Sequence, residues 1–378
     1  MKGIEGRYCI VGVGQTPYGK VPGMSQLAHN VLAIRNAIDD AGLTAEDIDG
    51  VLTKAPTSTF PMLWAPKVAE ALRITPKVTG TLDQAGASNI GLIQYAISAL
   101  ALGQANYIAI SYGDNPRSGT RATYARPRGD DAAAGLFGAP SSYAMIARRH
   151  MYEYGTTQDQ LANVAIAHRH HASMNPNAVF QDPITREDYE NSRFVAEPFR
   201  LLDCCPVSDG GAAYIITTEE RAKDLAKDPV YIEGIGQGHP AWDFFRRGDL
   251  ASSGAAVSGE AAFRNAGLGP KDIDFCEVYD CFTIVPIVTI EEYGFCAKGE
   301  GGAFFEDQRT HVGGELPINT SGGLLSETGM PGTQLVVEAV RQIRGEGGPR
   351  QVEGAEVGLV SQQGGIMTTH ATMIVSKG

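Results

Sequence analysis

Cysteine thiols are the most reactive side chains in this chain of 378 residues, and their spacing limits the chemistry open to them. The six cysteines are Cys9, Cys204, Cys205, Cys276, Cys281 and Cys296. None belongs to a CxxC pair or lies beside paired histidines, so the sequence predicts neither a zinc knuckle nor a disulfide framework. We expect reduced, mostly buried thiols. Cys281 stays open as a nucleophile, although a lone cysteine in a strand-like segment is more typical of a core.

A histidine run, AHRHHA, is the second group with metal-binding chemistry. His168 and His171 share a helix face because they are three residues apart, whereas His170 and His171 point about 100° apart. Two ligands do not complete a metal site, and no cysteine or carboxylate lies within a turn of them. The run therefore predicts a solvated helix face and no metal. We also expect His239, in the loop GHPAWDFFRR, to be exposed, with a place in a pocket as the alternative.

The charge and hydropathy of the chain exclude several classes of partner. The formal net charge is −12, and nucleic-acid surfaces need clustered Lys and Arg that this chain does not concentrate. No apolar run reaches the roughly 18 residues of a membrane span. The opening MKGIEGRYCIVGVG enters a strand without the regions of a secretory signal. We therefore expect a cytoplasmic protein with no nucleic-acid partner and no membrane span.

The elements that must position an active site alternate between strands and helices, and their order occurs twice. Strand-like YCIVGVG and VYIEGIG each precede a helix, and small-residue turns in DQAGASN and NTSGGLLSETG each precede an apolar helix and a further strand. The pattern predicts an α/β fold made by internal duplication. We place the first half at 1–225 and the second at 226–378. A helical loop domain at about 114–200, inside the first half, is long enough to carry a substrate site.

Several phrases together resemble the sterol-carrier-protein type of thiolase over the whole chain. They are SSYAMIARRHMYEYG, RLLDCCPVSDGGAAYIITTEERAKDL, EVYDCF, NTSGGLLSETG, VEAVRQIRG and VSQQGG. The resemblance implies a thiolase fold of two similar βαβαβ-type halves in five α/β/α/β/α layers. It also implies a homodimer that binds a CoA thioester beneath the loop domain and holds no tight cofactor.

Four positions carry the chemistry of that family, and this chain departs from all four. In the family, the motif A-C-A-S contains the nucleophilic cysteine. This chain has Gly86 at that position, so no acyl-enzyme can form there. The histidine of V-H-D-C-F is Tyr279. The general-base histidine of G-H-P falls on Gly329, or on Met330 with a one-residue slip, and the cysteine of C-x-G-G is Gln362.

What remains resembles one branch of the family, the thiolase-like lipid-transfer-protein aldolases of steroid side-chain degradation. They share the Y-D-C motif and have lost the same cysteine. The resemblance implies retro-aldol cleavage of a bulky β-hydroxyacyl-CoA, with the backbone N–H groups of Gly86 and Gly364 as an oxyanion hole. It implies Tyr279 and Asp280 as catalytic residues, and the phenol must have a pKa well below its ordinary value of about 10 to act as a base. A second tyrosine of that branch, expected within 326–331, is absent. We therefore expect Tyr279 to act alone, or opposite Glu327, Asp280 or Cys281.

The same branch implies a small partner protein of zinc-ribbon and OB-fold type, by analogy. The predicted substrate-binding residues are Arg117, Gly322, Gly323, Glu327 and Gln362. The two glycines would allow close approach of the pantetheine, although a helix-entry turn explains them almost as well. Other arginines of the loop domain that could meet the CoA phosphates are Arg121, Arg148 and Arg149. Two other functions stay open: an inactive CoA-ester-binding subunit, and an acyltransferase with a relocated nucleophile.

Overall fold

A computed structural model describes residues 8–59, 61–120 and 133–378. Its strands are β1 (Tyr8–Gln15), β2 (Gly50–Lys54), β3 (Val78–Leu82), β4 (Ile108–Asp114), β5 (Phe194–Ala196), β6 (Phe199–Arg200), β7 (Gly210–Thr218), β8 (Val230–Gly238), β9 (Phe275–Val278), β10 (Val357–Gly364) and β11 (Thr369–Ser376). Its helices are α1 (Gln26–Ala41), α2 (Trp64–Ala71), α3 (Ser88–Ala101), α4 (Ala139–Tyr154), α5 (Gln158–Ser173), α6 (Arg186–Asn191), α7 (Glu219–Ala222), α8 (Ala255–Ala266), α9 (Ile284–Glu292), α10 (Gly301–Phe304), α11 (Gly323–Ser326) and α12 (Thr333–Arg344).

The sheet topology confirms the predicted duplication. Within the described part of the chain, nine strands form one mixed sheet in the order β3-β2-β4-β7-β1-β8-β11-β10-β9. From the central pair β1 and β8 toward either edge of the sheet, both halves have the same strand order. The first strand of the half is followed by its last strand and then by its remaining strands. The last strand of each half, β7 or β11, is antiparallel to both of its neighbours. At the position that β3 has in the first half, the second half has a single parallel bridge between Ile318 and Cys276.

The helices and the strands of the two halves form five layers, with two helices between the halves of the sheet. The halves are joined at two residue pairs, Cys9 with Tyr231 and Ile10 with Val230. Helices α3 and α12 contact strands of both halves, whereas α1 and α2 cover the outer face of the first half and α8 that of the second. This arrangement confirms the predicted fold class. The boundary proposed at residue 225 falls between α7 and β8 and stays a prediction.

Alternate glycines explain how the first helix of each half packs so closely on its strand. An added Cβ at Gly12 or Gly14 of β1 would collide with backbone oxygens of α1, and one at Gly234 or Gly236 of β8 with backbone oxygens of α8. Only glycine permits this backbone contact. The phrases VGVG and GIGQG therefore encode the same helix–strand contact twice.

Two elements near the site differ from what the sequence suggested. The strand in FCEVYDCF stops at Val278, so Tyr279 and Asp280 lie in the loop that follows it. The helix expected after the Gly-rich turn is two helices, α11 and α12, separated by the segment 327–332. The long excursion between β4 and β7 contains α4 to α6 and the small sheet of β5 and β6. Among the described residues, the helices are all too short or too polar to cross a membrane.

Candidate active site

The N-termini of the two central helices meet in the middle of the molecule. Asn89, in the first turn of α3, is buried and joins them: its Nδ2 donates to the carbonyl oxygen of Pro331 at 2.7 Å, and its Oδ1 accepts from Thr333 Oγ1 at 2.9 Å. A helix N-terminus carries a partial positive charge, so two of them together favour an anion between them. The fold therefore offers an electropositive centre before any charged side chain is added.

The Tyr279 ring occupies the space between these two helix ends. An added Cβ at Gly86, before α3, would lie 2.9 Å from Cζ of this ring, and one at Gly332, before α12, would lie 3.1 Å from its Cδ2. The Tyr279 backbone N–H donates to the Ser361 carbonyl oxygen at 2.9 Å, which ties the loop to β10. The side chain is partly buried.

Position 86 has no room for a nucleophilic side chain. A Cβ built there would fall closer than 3.0 Å both to Cε2 of Tyr279 and to the backbone carbonyl oxygen of Gln363, a separation that real Cβ atoms essentially never show. The tyrosine ring thus fills the volume in which a cysteine at residue 86 would begin. Glycine at 86 and tyrosine at 279 are sterically matched.

The predicted partner of Gly86 lies against it. An added Cβ at Gly364 would be 2.9 Å from the Gly86 nitrogen, so the two backbones are in contact. Gln362 precedes Gly364 by two residues on β10, and its Nε2 donates to the Gly332 carbonyl oxygen at 2.7 Å. Its Oε1 is buried and accepts no hydrogen bond from the described residues. Buried acceptors are normally satisfied, so this oxygen is available to a donor on a bound molecule.

Asp280 is fully buried and engaged with protein groups. Its Oδ2 contacts His168 Nδ1 at 2.7 Å, and its two oxygens accept from the backbone N–H groups of Leu324 and Leu325 at 2.6 and 3.3 Å. The carboxylate therefore joins α5, the start of α11 and the Tyr279 loop. This geometry suits a positioning residue better than one that touches substrate.

The histidine run is not the solvated face that the sequence suggested. His170 is exposed, but His168 and His171 are fully buried. His171 Nδ1 contacts the Asn319 carbonyl oxygen at 3.0 Å and its Nε2 accepts from Val312 N–H at 3.1 Å, a pattern that requires a neutral ring. Burial, with the neighbouring His168, lowers the pKa of His171 to about 3. In the described ranges, no group of three His, Cys, Asp or Glu residues is placed to hold a metal.

The surroundings of Gly322 and Gly323 favour the helix-entry explanation over the pantetheine. Both have left-handed backbones, with φ of 100° and 59°. An added Cβ would meet Ala172 Cβ at 2.5 Å in the first case, and the Asp280 carboxylate and Asn319 amide in the second. Protein packing thus accounts for both glycines.

Glu327 is buried, and its carboxyl group contacts Ser321 and Gln15. Oε2 accepts from Ser321 Oγ at 2.6 Å and Oε1 from Gln15 Nε2 at 3.3 Å. Burial, followed by the charge of Glu338, raises its pKa to about 7. Gln15 lines an open groove of about 750 Å³ together with Tyr18 and Arg341. The bonds to Ser321 and Gln15 do not test a role opposite Tyr279, which stays a prediction.

The arginines proposed for the CoA phosphates differ in their surroundings. Arg117 follows β4, and its backbone N–H donates to Asp209 at 2.8 Å, which leaves its phosphate role a prediction. Arg148 pairs with Glu197, and Arg149 with Glu153. Arg121 lies outside the described residues. His239 is exposed, as expected, and contacts Thr369.

Two site residues are not among those that the sequence predicts. Tyr143 of α4 is buried, and its hydroxyl accepts from Gln363 Nε2 at 2.6 Å, next to Tyr279 and Cys281. Asn89 joins the two helix ends. A polar residue directly after AGAS, at the start of an otherwise apolar helix, is a signal that could have revealed Asn89. Tyr143 carries none, because its partner is more than 200 residues away in sequence.

The comparisons with known proteins agree with this architecture. A family model described as thiolase C-terminal domain-like matches residues 236–377. An acetyl-CoA acetyltransferase of Methanothermobacter thermautotrophicus is 37% identical over 97% of this chain and 99% of that protein. A steroid side-chain-cleaving aldolase of Thermomonospora curvata is 37% identical over 91% of this chain and 92% of that protein. A 17-hydroxy-3-oxo-4-pregnene-20-carboxyl-CoA lyase of Mycobacterium tuberculosis is 35% identical over 97% of this chain and 98% of that protein.

Solved structures give the same result. One named Ltp2-ChsH2(DUF35) aldolase has a TM-score of 0.89 at 36% identity and covers 99% of this chain and 98% of that chain. Human mitochondrial 3-ketoacyl-CoA thiolase, with a TM-score of 0.73 at 15% identity, shares the fold. The duplicated sheet around two central helices thus defines a protein of the thiolase fold. The chain belongs to the thiolase superfamily, within the branch of sterol-carrier-protein-type thiolases and thiolase-like aldolases. Acyltransferases and lyases are equally similar to it, so identity alone does not separate the two activities.

Proposed function

We propose that this protein catalyses retro-aldol cleavage of a bulky β-hydroxyacyl-CoA, giving a ketone or aldehyde and a shorter acyl-CoA. The observation that carries the proposal is the Tyr279 ring at Gly86, in the space where a thiolase nucleophile would begin. A site that polarises a thioester but cannot attack it has an electron sink and no acyl acceptor. Cleavage of the bond between the α and β carbons uses such a sink directly.

The electron and proton balance of this step needs only groups that the chain provides. A base takes the proton of the β-hydroxyl, the oxygen electrons form the new C=O bond, and the Cα–Cβ bond breaks. Its electrons move onto the thioester as an enolate, whose α-carbon then takes up a proton. Tyr279 is the proton acceptor and donor in this proposal, with the backbone N–H groups of Gly86 and Gly364 and the two helix N-termini stabilising the enolate oxygen. Asp280 holds the Tyr279 loop, and Gln362 Oε1 offers an acceptor to the substrate.

The substrate class follows from the named relatives. One is a steroid side-chain-cleaving aldolase and another a lyase for 17-hydroxy-3-oxo-4-pregnene-20-carboxyl-CoA. In that compound the hydroxyl-bearing C17 is bonded to C20, so the hydroxyl is β to the thioester and cleavage gives a 17-ketosteroid and propionyl-CoA. A steroidal or similarly bulky β-hydroxyacyl-CoA is therefore the substrate we propose, with Arg117 at the CoA phosphates.

The oligomeric state of this protein, its partner and its place in the cell are part of the proposed function. A solved neighbour is named as a two-component aldolase with a DUF35 protein. By analogy, we propose a homodimer that works in the cytoplasm with a small partner of zinc-ribbon and OB-fold type. Copurification of such a companion from the native host tests this part.

An acyltransferase with a relocated nucleophile is the main competing function, because two relatives are named acetyl-CoA acetyltransferase. The geometry disfavours it. Burial raises the pKa of the Cys281 thiol well above its usual range and that of Cys205 to about 12, so neither is a thiolate near neutral pH. The thiolate is the nucleophilic form of cysteine.

A Tyr279→Phe variant tests the proposed chemistry with 17-hydroxy-3-oxo-4-pregnene-20-carboxyl-CoA as substrate. Loss of the proton-transferring hydroxyl is expected to lower kcat by about 10²–10⁴-fold, while the ring keeps its place between the helix ends. Release of the 17-ketosteroid and of propionyl-CoA is followed by mass spectrometry. Undiminished turnover by this variant would end the role of Tyr279, and a wild-type protein that binds the ester without cleaving it would support an inactive binding subunit.

A further inference from the structure

The turn that joins β10 to β11 is strained, and it directly follows Gly364. Gly365, Ile366 and Met367 all have left-handed backbones, with φ of 62°, 65° and 61°. This region is unfavourable for residues with a side chain, and most of all for a β-branched one such as Ile366. Strained backbone persists only where surrounding contacts hold it, and it is common at functional sites.

The Gln363 side chain holds this turn from inside. Its Oε1 accepts from the Met367 backbone N–H at 2.9 Å, and its Nε2 donates to the Tyr143 hydroxyl at 2.6 Å and contacts Cys281 Sγ at 3.5 Å. The side chain is fully buried and both ends of its amide are bonded. On the other side of the turn, Arg247 Nη1 donates to the Met367 carbonyl oxygen at 3.2 Å.

The position of this bridge relates it to the chemistry. The Gln363 carbonyl oxygen packs on Gly86, and the next residue is Gly364. Tyr143 belongs to α4, in the excursion between β4 and β7, so this segment reaches into the centre of the site. A neutral tyrosine hydroxyl can accept from Gln363 and donate to Cys281 at once. Burial raises the pKa of Tyr143 well above its ordinary range, which keeps that hydroxyl protonated.

We propose that Gln363 and Tyr143 are positioning residues that clamp the strained 365–367 turn and so hold Gly364 against Gly86. Neither needs to touch the substrate. The clamp couples α4 to the backbone that polarises the thioester, so the excursion contributes to catalysis as well as to binding. This inference rests on the proposed function for its kinetic consequence, whereas the clamp itself does not depend on the substrate.

Gln363→Met keeps the side-chain volume and removes both hydrogen bonds of the bridge. Hydrogen exchange of peptides covering 360–370 is expected to quicken by about tenfold or more, because the Met367 amide loses its acceptor. With 17-hydroxy-3-oxo-4-pregnene-20-carboxyl-CoA, kcat is expected to fall by about 10–100-fold, because a small misplacement of catalytic groups lowers the rate by this order, with KM within about threefold of wild type. Gln363→Glu keeps an acceptor for Met367 N–H and for the Tyr143 hydroxyl, so it should restore slow exchange.

Tyr143→Phe is the second variant, and it keeps the inference testable if Gln363→Met does not fold. It should quicken exchange in the same peptides and lower kcat by about 3–10-fold, a modest positioning effect. Tyr112→Phe is the matched control, because it also removes a buried tyrosine hydroxyl, one bonded to Asp114 at 3.0 Å, and should change neither readout. Wild-type exchange and kcat in Gln363→Met or in Tyr143→Phe would overturn the clamp. A wild-type protein that cleaves nothing would end the proposed function alone, since exchange still reports on the turn.

Discussion

A single methyl group at residue 86 should disable this protein. In Gly86→Ala, the new Cβ would fall within 3.0 Å of the Gln363 carbonyl oxygen and of the Tyr279 ring, so a backbone segment and the Tyr279 side chain must both move. Overpacking of this kind costs about 1–3 kcal/mol of unfolding free energy. A displacement of Tyr279 by about 1 Å is expected to lower kcat about 100-fold.

Urea unfolding and the steroid–CoA cleavage assay measure the two effects, and Gly269→Ala is the matched control. Gly269 has an ordinary extended backbone, and the nearest atom to an added Cβ is 3.8 Å away. The control should lie within about 0.5 kcal/mol of wild type.

A double-mutant cycle separates the two clashes. In a Tyr279→Ala background the ring is gone but the Gln363 carbonyl remains, so Gly86→Ala should cost less than in the wild type, by about 0.5–3 kcal/mol of coupling. Additive costs, or a Gly86→Ala protein as stable and active as wild type, would refute the steric match between residues 86 and 279.

Two further predictions concern the buried carboxyl groups. Asp280→Asn should lower the unfolding free energy by about 1.5–3 kcal/mol in urea titrations, because an amide NH2 group replaces one of the two carboxylate oxygens that accept from His168 and from the backbone N–H groups of Leu324 and Leu325. An unchanged midpoint would contradict that role. Glu327 has its pKa raised from 4.5 to about 7, so the folded state retains a proton that the unfolded state releases, and wild-type stability should fall as pH rises from about 4.5 to 7. Relative to wild type, Glu327→Gln should therefore gain about 2–3 kcal/mol between pH 5 and 8, and equal differences at both pH values would count against the raised pKa.

Much of the fold could be predicted from local pattern. The helical spacing from Leu27 to Ile38 predicts α1, and Gly42 ends it with a φ of 70°. The paired phrases VGVG and GIGQG reflect a repeated contact between neighbouring elements. Such features depend on residues close in sequence, so period and turn chemistry suffice to find them.

The site depended on contacts that no local pattern records. His168 looked solvated because a polar residue on a helix usually faces water, but its partner, Asp280, is 112 residues away. Tyr143 was missed for the same reason. Gly86 could be identified because an absent side chain is visible in the sequence, whereas the ring that fills its space became apparent only in three dimensions. Local sequence patterns therefore do not predict the contacts that long-range packing creates in the site.

In the proposed function, this pocket polarises a thioester without forming a covalent bond to it. Intact-mass measurement of the wild-type protein, quenched during turnover of 17-hydroxy-3-oxo-4-pregnene-20-carboxyl-CoA, tests this absence of a covalent intermediate most directly. We expect an unmodified polypeptide while 17-ketosteroid and propionyl-CoA accumulate in equal amounts. An acyl group attached to the chain during turnover would contradict it.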